Sequence, residues 1–188
     1  MTGSPRRPPQ SRWQASWRGM TPRDLGLLWA AIALLLDQGF KIFMLYGLGF
    51  AGLGPEAHIE VLPFFNLVMV WNPGVSYGLF PAHEAWGTSL LVTFQLGAVG
   101  GLTWWLWHTE RAPLALGLGL VIGGALGNLV DRLVYGKVAD FFHFFAAGYD
   151  WYVFNVADIA ITIGVAALLY DALLRPEAGM DPGKQPSE

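Results

Sequence analysis

PLALGLGLVIGGALGNLV, residues 113–130, is an apolar stretch long enough to cross a membrane as one helix. A helix needs about 17 to 25 residues to cross roughly 30 Å of hydrocarbon. Three further stretches of the chain meet that condition, at about residues 25–47, 87–107 and 152–174. We therefore predict an all-α membrane protein with four transmembrane helices.

The composition of the 188-residue chain supports a membrane location. Hydrophobic residues make up 54 % of the chain and charged residues 13 %, which is far fewer charges than a soluble domain of this length carries. Several of the nine tryptophans lie near the ends of the predicted spans, where amphipathic rings favour the membrane interface. The chain has no cysteine, which excludes disulfides, thiolate catalysis and cysteine-based metal sites.

The distribution of lysine and arginine predicts the side of each connection. Eight of these residues lie in the two terminal segments and the connection between the second and third spans, and only Arg132 and Lys137 lie in the other connections. Positive residues accumulate on the cytoplasmic side, so both termini are predicted to be cytoplasmic. Residues 1–23 and 176–188 are predicted to be disordered tails around one four-span domain of residues 24–175.

The first outside connection, within residues 48–86, is predicted to contain a small extracytoplasmic β-element. Residues 58–80, HIEVLPFFNLVMVWNPGVSYGLF, contain a β-branched and aromatic run that ends in Asn-Pro-Gly. This pattern indicates one or two short strands and a turn. The element is too short to form an independent domain.

Small residues recur at every fourth position of the third span, at Ala115, Gly119, Gly123 and Gly127. Such a stripe allows another helix to approach the backbone closely. We therefore expect this face of the third span to pack against a neighbouring span.

Polar residues within the spans need an explanation, because each ionisable side chain costs about 2.5 to 3.5 kcal/mol to insert. Asp37 and Lys41 lie four residues apart on one helical face, where they form either an internal ion pair or a direct contact with substrate. Asn128, Asp131 and Arg132 lie at the outer end of the third span. They form either a capping cluster at the interface or part of a catalytic site.

Two acids are predicted to meet on the outer side of the membrane. Asp140 follows the third span, and Asp158 lies about six residues into the fourth span, roughly 9 Å below its outer end. Two close carboxylates share a proton, so that one activates a water molecule while the protonated partner polarises a carbonyl group. Asn155 lies three residues before Asp158 on the same face, where it is placed to bind a substrate backbone or to fix a carboxylate.

The residues alone leave other functions open. Asp158 is equally compatible with a proton or cation site in a small transporter. A non-enzymatic membrane scaffold explains the glycine stripe but leaves the paired acids without a role.

Four segments of the chain resemble, in order, motifs of the bacterial lipoprotein signal peptidases, also called signal peptidase II. The segments are DQGFK (37–41), FFNLVMVWNPGVSYGLF (64–80), GGALGNLVDRLVYGKVADFFHF (123–144) and FNVADIAITIG (154–164). The resemblance covers most of residues 25–170. Many members read Ala-Phe where this chain has Ser76 and Tyr77, a change that keeps a small residue before an aromatic one.

The resemblance implies a membrane aspartic endopeptidase that cleaves the signal peptide from a prolipoprotein, just before a cysteine that carries diacylglycerol. By motif, Asp140 and Asp158 are the catalytic pair, and the supporting polar residues are Asn72, Asn128, Arg132, Asn155, Asp37 and Lys41. The implied fold is a four-helix bundle whose first outside connection holds both the β-element and a short interfacial helix. The expected partners are the lipidated substrate and membrane lipids, with no cofactor, metal or nucleic acid.

The resemblance also implies a location. We expect a monomeric multi-pass protein of the bacterial plasma (inner) membrane. Its active site is expected at the extracytoplasmic face, because a substrate held by acyl chains presents its scissile bond near the headgroups.

Overall fold

The computed structural model describes residues 19–54, 57–74 and 85–173. Within these ranges, four helices are long and apolar enough to cross a membrane. They are α1 (Pro22–Ile42, extended by a π-helical turn to Gly47), α2 (Ala85–Trp107), α3 (Ala112–Tyr135) and α4 (Val156–Leu173). The predicted C-terminal tail (176–188), residues 1–18 of the predicted N-terminal tail (1–23) and the Ser76-Tyr77 departure lie outside the described residues. Pro22 and Arg23, which were assigned to the N-terminal tail, instead form the start of α1.

The third and fourth helices differ from their predicted bounds. Helix α3 continues past Val130 to Tyr135 and ends on Gly136, whose φ of 71° allows the chain to turn sharply out of the helix. Helix α4 begins at Val156, after Tyr152, because the preceding backbone pairs with a strand. The Phe142 N–H donates to the Phe154 carbonyl oxygen at 2.8 Å, and the Phe154 N–H donates to the Phe142 carbonyl oxygen at 3.2 Å.

Helix α3 is the centre of the bundle, and its glycines allow close contact with two neighbours. A Cβ atom at Gly119 or Gly123 would collide with the backbone of α1, at Gly26 and Ala30 respectively. On the opposite face, a Cβ atom at Gly124 would collide with the carbonyl oxygen of Ala157 in α4. The predicted packing of the small-residue stripe is confirmed, and a second glycine face serves α4.

Helix α2 lies at the outside of the bundle. Its contacts within the described residues are mainly with α3. Large apolar side chains are exposed on this helix, including Leu96, which is 53 % exposed, and Trp104, which is 67 % exposed. This exposure is typical of a helix surrounded by lipid.

The β-structure is larger than the sequence predicted. Strands β1 (His58–Leu62) and β2 (Phe65–Asn72) form the expected hairpin, and β3 (Val138–Ala146) and β4 (Tyr149–Asp150) extend it after α3. The four strands described form one antiparallel sheet in the order β1-β2-β3-β4. The two strands that follow α3 were not predicted from the sequence.

The sheet is attached to the bundle through β3. Residues at the end of α1, in the 3₁₀ turn at Phe50–Gly52 and at the start of β3 form a buried apolar cluster: Met44, Leu45, Phe50, Ala139 and Phe141. Because this cluster holds β3 against the helices, Asp140 is fixed at the junction of the sheet and the bundle. The 3₁₀ turn at Phe50–Gly52 lies in the described part of the first connection, and the interfacial helix stays a prediction.

Candidate active site

Asp140 lies on β3 and is held by the neighbouring strand. Its side chain is buried, with 1 % of its surface exposed. Asn72, at the end of β2, donates from Nδ2 to Asp140 Oδ2 at 3.0 Å and also to the Tyr152 hydroxyl oxygen at 2.8 Å. The antiparallel register places Val70 opposite Asp140 and Asn72 opposite Val138, so Asn72 lies two residues along the strand from the position facing Asp140. The pairing of β2 with β3 thus orients one proposed catalytic acid.

Asp158 lies in the first turn of α4, nearer the helix start than the predicted six residues. The Asp158 N–H donates to Asn155 Oδ1 at 3.0 Å, and the Asn155 N–H donates to Asp158 Oδ2 at 3.2 Å. This reciprocal pair is a capping box, which satisfies two backbone donors at the helix N-terminus. The same contact that starts α4 therefore fixes the Asp158 carboxylate.

Two asparagine side chains link the acids. Asn155 is fully buried, and its Nδ2 donates to Asp140 Oδ1 at 2.6 Å and to Asn128 Oδ1 at 3.1 Å. Asn128, on α3, in turn donates from Nδ2 to Asp158 Oδ1 at 3.0 Å. The structure thus brings Asp140, Asp158, Asn155 and Asn128 into one hydrogen-bonded group. Each carboxylate receives side-chain or backbone N–H donors on both of its oxygens.

The environment of Asp140 favours its protonated form. Burial, and then the nearby negative charge of Asp158, raise the pKa of Asp140 to about 7. Hydrogen bonds from Asn72 and Asn155 and the positive charge of Lys41 act in the opposite direction. A carboxyl group with this pKa is able to hold or release a proton near neutral pH.

A cavity of about 410 Å³ opens beside the acids, between α2, α3 and α4. Its polar lining includes Asn72, Gln95, Asn128, Arg132, Asp140 and Asp158, and its apolar lining includes Leu91, Phe94, Ala98, Leu102, Val121, Ala125 and Ile161. The cavity therefore combines a long apolar wall with a polar end at the two carboxylates. In the described part of the chain, no group of three or more His, Cys, Asp or Glu residues is arranged to hold a metal ion.

Arg132 lies at the polar end of this cavity. Its guanidinium donates to Gln95 Oε1 at 3.2 Å and to the Gly74 carbonyl oxygen at 3.1 Å. Its Nε is buried and has no hydrogen-bond partner among the described residues. Gln95, on α2, also donates to the carbonyl oxygen of Ala125 on α3, so it connects the outer helix to Arg132.

Asp37 and Lys41 form the predicted ion pair, with 2.8 Å between Asp37 Oδ2 and Lys41 Nζ. Lys41 Nζ also lies 2.8 Å from Asp131 Oδ2 and donates to Asn128 Oδ1 at 3.2 Å. The three charged side chains are buried, which favours the internal pair over direct contact with substrate. Lys41 connects this ion group to the two acids through Asn128.

Asn128, Asp131 and Arg132, predicted as one cluster at the end of α3, contact three different parts of the protein. Asn128 joins the acids, Arg132 reaches the cavity, and Asp131 turns inward to Lys41. The cap of α3 is instead provided by Gly136, whose N–H donates to the Arg132 carbonyl oxygen. Sequence reasoning assigned no role to Gln95, Tyr152 or Gln38, although Gln38 lies within the DQGFK segment.

Comparison with known proteins shows the family to which this chain belongs. The family model described as signal peptidase (SPase) II matches residues 29–174. A lipoprotein signal peptidase of Rhodopseudomonas palustris (strain ATCC BAA-98 / CGA009) is 47 % identical over 167 residues, which cover 87 % of this chain and 100 % of the relative. A lipoprotein signal peptidase of Nitrobacter hamburgensis is 44 % identical, with the same coverage of 87 % and 100 %.

Solved structures show the same fold. A bacterial membrane enzyme determined by the in meso method at 1.9 Å is 27 % identical and has a TM-score of 0.67, with 80 % of this chain and 93 % of that chain covered. Another, determined at 2.3 Å, has a TM-score of 0.68 over 87 % of this chain and 93 % of its own. Since the family model and the relatives extend over most of the sequence, this chain belongs to the signal peptidase II family.

Proposed function

We propose that this protein is a membrane aspartic endopeptidase that cleaves the signal peptide from diacylglyceryl-modified prolipoproteins immediately before the lipidated cysteine. Membership of the signal peptidase II family and the naming of close relatives as lipoprotein signal peptidases support the activity. The observation that carries the site is the linkage of Asp140 and Asp158 through Asn155 and Asn128. The transporter and scaffold alternatives have no comparable support.

The two carboxyl groups hold one proton between them in the reactive state. The ionised member accepts a proton from a water molecule as the water oxygen attacks the scissile carbonyl carbon. The protonated member donates to the carbonyl oxygen, where negative charge develops. Collapse of the tetrahedral intermediate breaks the C–N bond, and the departing nitrogen takes a proton from the pair. The pKa of about 7 at Asp140 is consistent with a shared proton at neutral pH.

The remaining polar residues support this chemistry. Asn72, Asn128 and Asn155 fix the carboxylates, and Arg132 presents a cation to the polar end of the cavity, close to where a substrate carbonyl is expected. Asp37 and Lys41 act from the buried side of the site. The apolar wall of the cavity suits the hydrophobic part of a signal peptide.

The site is proposed to face the extracytoplasmic side of the bacterial plasma (inner) membrane, and the protein to act as a monomer among lipids. The excess of lysine and arginine in the terminal segments and the second connection supports this orientation. Two acyl chains next to the scissile bond hold that bond near the headgroups. A site at the junction of the bundle and the sheet meets it there.

Cleavage of a purified diacylglyceryl-modified prolipoprotein in detergent tests the proposal. Asp140→Asn and Asp158→Asn are each expected to abolish cleavage, because each removes one of the two groups that share the proton. Asp150→Asn is the matched control, since Asp150 is an exposed acid on β4 that pairs only with His143 among the contacts described. Retention of full activity by both Asp140→Asn and Asp158→Asn would remove the basis of the assignment.

A further inference from the structure

The backbone just before each proposed catalytic acid is held by a different buried carboxylate. The Ala157 N–H, one residue before Asp158, donates to Asp37 Oδ1 at 2.9 Å. The Ala139 N–H, one residue before Asp140, donates to Asp131 Oδ2 at 3.0 Å. The two acids therefore have equivalent backbone supports, one from α1 and one from α3.

These two supporting carboxylates are joined to each other. Lys41 Nζ lies 2.8 Å from Asp37 Oδ2 and 2.8 Å from Asp131 Oδ2. Gln38 Nε2 donates to Asp37 Oδ2 and to Asp131 Oδ1, at 3.1 Å in both cases. We call this group of Asp37, Gln38, Lys41 and Asp131 the buried clamp.

The clamp is stiff for three reasons. Asp37, Lys41 and Asp131 are at most 2 % exposed, so water does not compete for their hydrogen bonds. Hydrogen bonds between ionised groups are short and strong, and loss of one partner leaves an uncompensated buried charge. Gln38 also donates to the Gly127 carbonyl oxygen at 3.1 Å, which ties the clamp to the backbone of α3.

We propose that Asp131 and Gln38 are positioning residues, which act with Asp37 and Lys41 to set the separation of the Asp140 and Asp158 carboxylates. The proposal rests on the proposed function, because it assigns the clamp to that catalytic pair. Asp131 holds the strand that carries one acid, Asp37 holds the helix that carries the other, and Gln38 and Lys41 fix the distance between the two supports. Asp37, Lys41 and Asp131 are buried, and none of the four clamp residues lines the cavity beside the acids.

Gln38→Met tests the clamp without changing any charge. Methionine matches glutamine in length but donates no hydrogen bond, so Asp37 and Asp131 lose one of their links. We expect kcat for prolipoprotein cleavage to fall about tenfold, because catalytic groups that lose their alignment react slowly. The alkaline limb of the pH–rate profile is expected to move about half a pH unit lower. When Asp140 and Asp158 are held less closely, their negative charges repel each other less and water reaches them, and both effects lower the pKa of Asp140.

The shift in the alkaline limb separates positioning from a loss of folded protein. The charged groups that face Asp140 are Asp158 from α4, Arg132 from α3 and Lys41 from α1, and all three remain in the variant. Because stability itself depends on pH, the rate is expressed per folded protein at each pH, so that a smaller folded fraction leaves the limb in place. Gln38→Asn gives a second neutral variant, in which the amide is too short to reach both carboxylates.

Asp171→Asn is the matched control at the other end of the bundle. Asp171 is buried and pairs at 2.6 Å with Arg111, whose side chain is 43 % exposed, so its replacement breaks an ion pair away from the acids. We expect a lower thermal unfolding midpoint and an unchanged alkaline limb. An unmoved limb in both Gln38 variants, with rates compared per folded protein, would overturn the clamp. Cleavage by Asp140→Asn and Asp158→Asn would instead overturn the proposed function.

Discussion

Replacement of Asn155 by serine separates the two roles of its side chain. Asn155 Oδ1 accepts the N–H of Asp158 at the start of α4, and Asn155 Nδ2 donates to Asp140 and Asn128. Serine is as good a helix N-cap as asparagine. Its shorter side chain carries one O–H donor, which does not replace the two bonds that Asn155 Nδ2 donates to the other two residues. The Asn155→Ser variant is therefore expected to keep the helix start and to lose the link between the acids.

The magnitude follows from the two bonds that are lost. The bond to Asp140 is short, at 2.6 Å, and a hydrogen bond to a charged group is worth about 1.5 to 3 kcal/mol. The bond to Asn128 is between neutral groups and is worth about 0.5 to 1.5 kcal/mol. Since 1.36 kcal/mol corresponds to a tenfold change in rate, a loss of about 2 to 4.5 kcal/mol predicts a decrease of roughly thirty- to two-thousandfold in kcat/KM.

The assay measures prolipoprotein cleavage and thermal unfolding for three proteins: the parent, Asn155→Ser and Asn155→Ala. Both variants are expected to lose activity to a similar extent. Asn155→Ala is expected to be less stable than Asn155→Ser by about 1 kcal/mol, because alanine does not cap the helix. If Asn155→Ser cleaves substrate at more than about a third of the parent rate, then Nδ2 does not align the acids and the reasoning is wrong.

Three further predictions concern packing, proton binding and orientation. Gly123→Ala is expected to lower the thermal unfolding midpoint, because the added methyl group collides with the backbone of α1 and such overpacking costs about 1 to 3 kcal/mol. Gly97→Ala is the control and is expected to leave the midpoint unchanged, since its methyl group meets no atom within 4 Å. Cleavage is expected to slow as pH rises through about 7, which is the raised pKa of Asp140. The same raised pKa predicts that the free energy of unfolding decreases between about pH 4 and 7. In Asp140→Asn, the free energy of unfolding is expected to depend less steeply on pH over this range. Because the chain has no cysteine, a membrane-impermeant maleimide is expected to label Tyr149→Cys in intact cells and to leave Glu110→Cys unlabelled until the membrane is opened.

The helices were predictable because length and hydropathy define them directly. The apolar span within α2, Gly87–Trp107, agrees with the predicted span, and the glycine stripe correctly predicted a close helix contact. Strand β3 was missed because its first residues, from Val138 to Phe141, are buried on both faces and show no alternation. The start of α4 was misplaced because the apolar residues before it resemble a helix. The signal was present, since Asn155 and Asp158 have the spacing of a capping box.

The candidate site was predictable as a set of residues but not as a network. The motifs indicated Asp140, Asp158 and Asn155, and the structure brings these three into contact. The inward turn of Asp131 and the bridging role of Gln38 depend on how α1 and α3 rotate against each other. Helix rotation is decided by packing between distant segments, and no local pattern in the sequence specifies it.

The pairing of Asp37 with Lys41 affects how the chain enters the membrane. The two residues lie one helical turn apart with 2.8 Å between their charged atoms, so the first span brings its own counter-ion into the bilayer. An unpaired charge at this depth costs about 2.5 to 3.5 kcal/mol to insert. Helix α3, which is synthesised later, delivers Asp131 to a lysine that is already in place. The charges of Asp37 and Lys41 thus cancel when the first span is inserted, and insertion of the third span adds Asp131 to the pair.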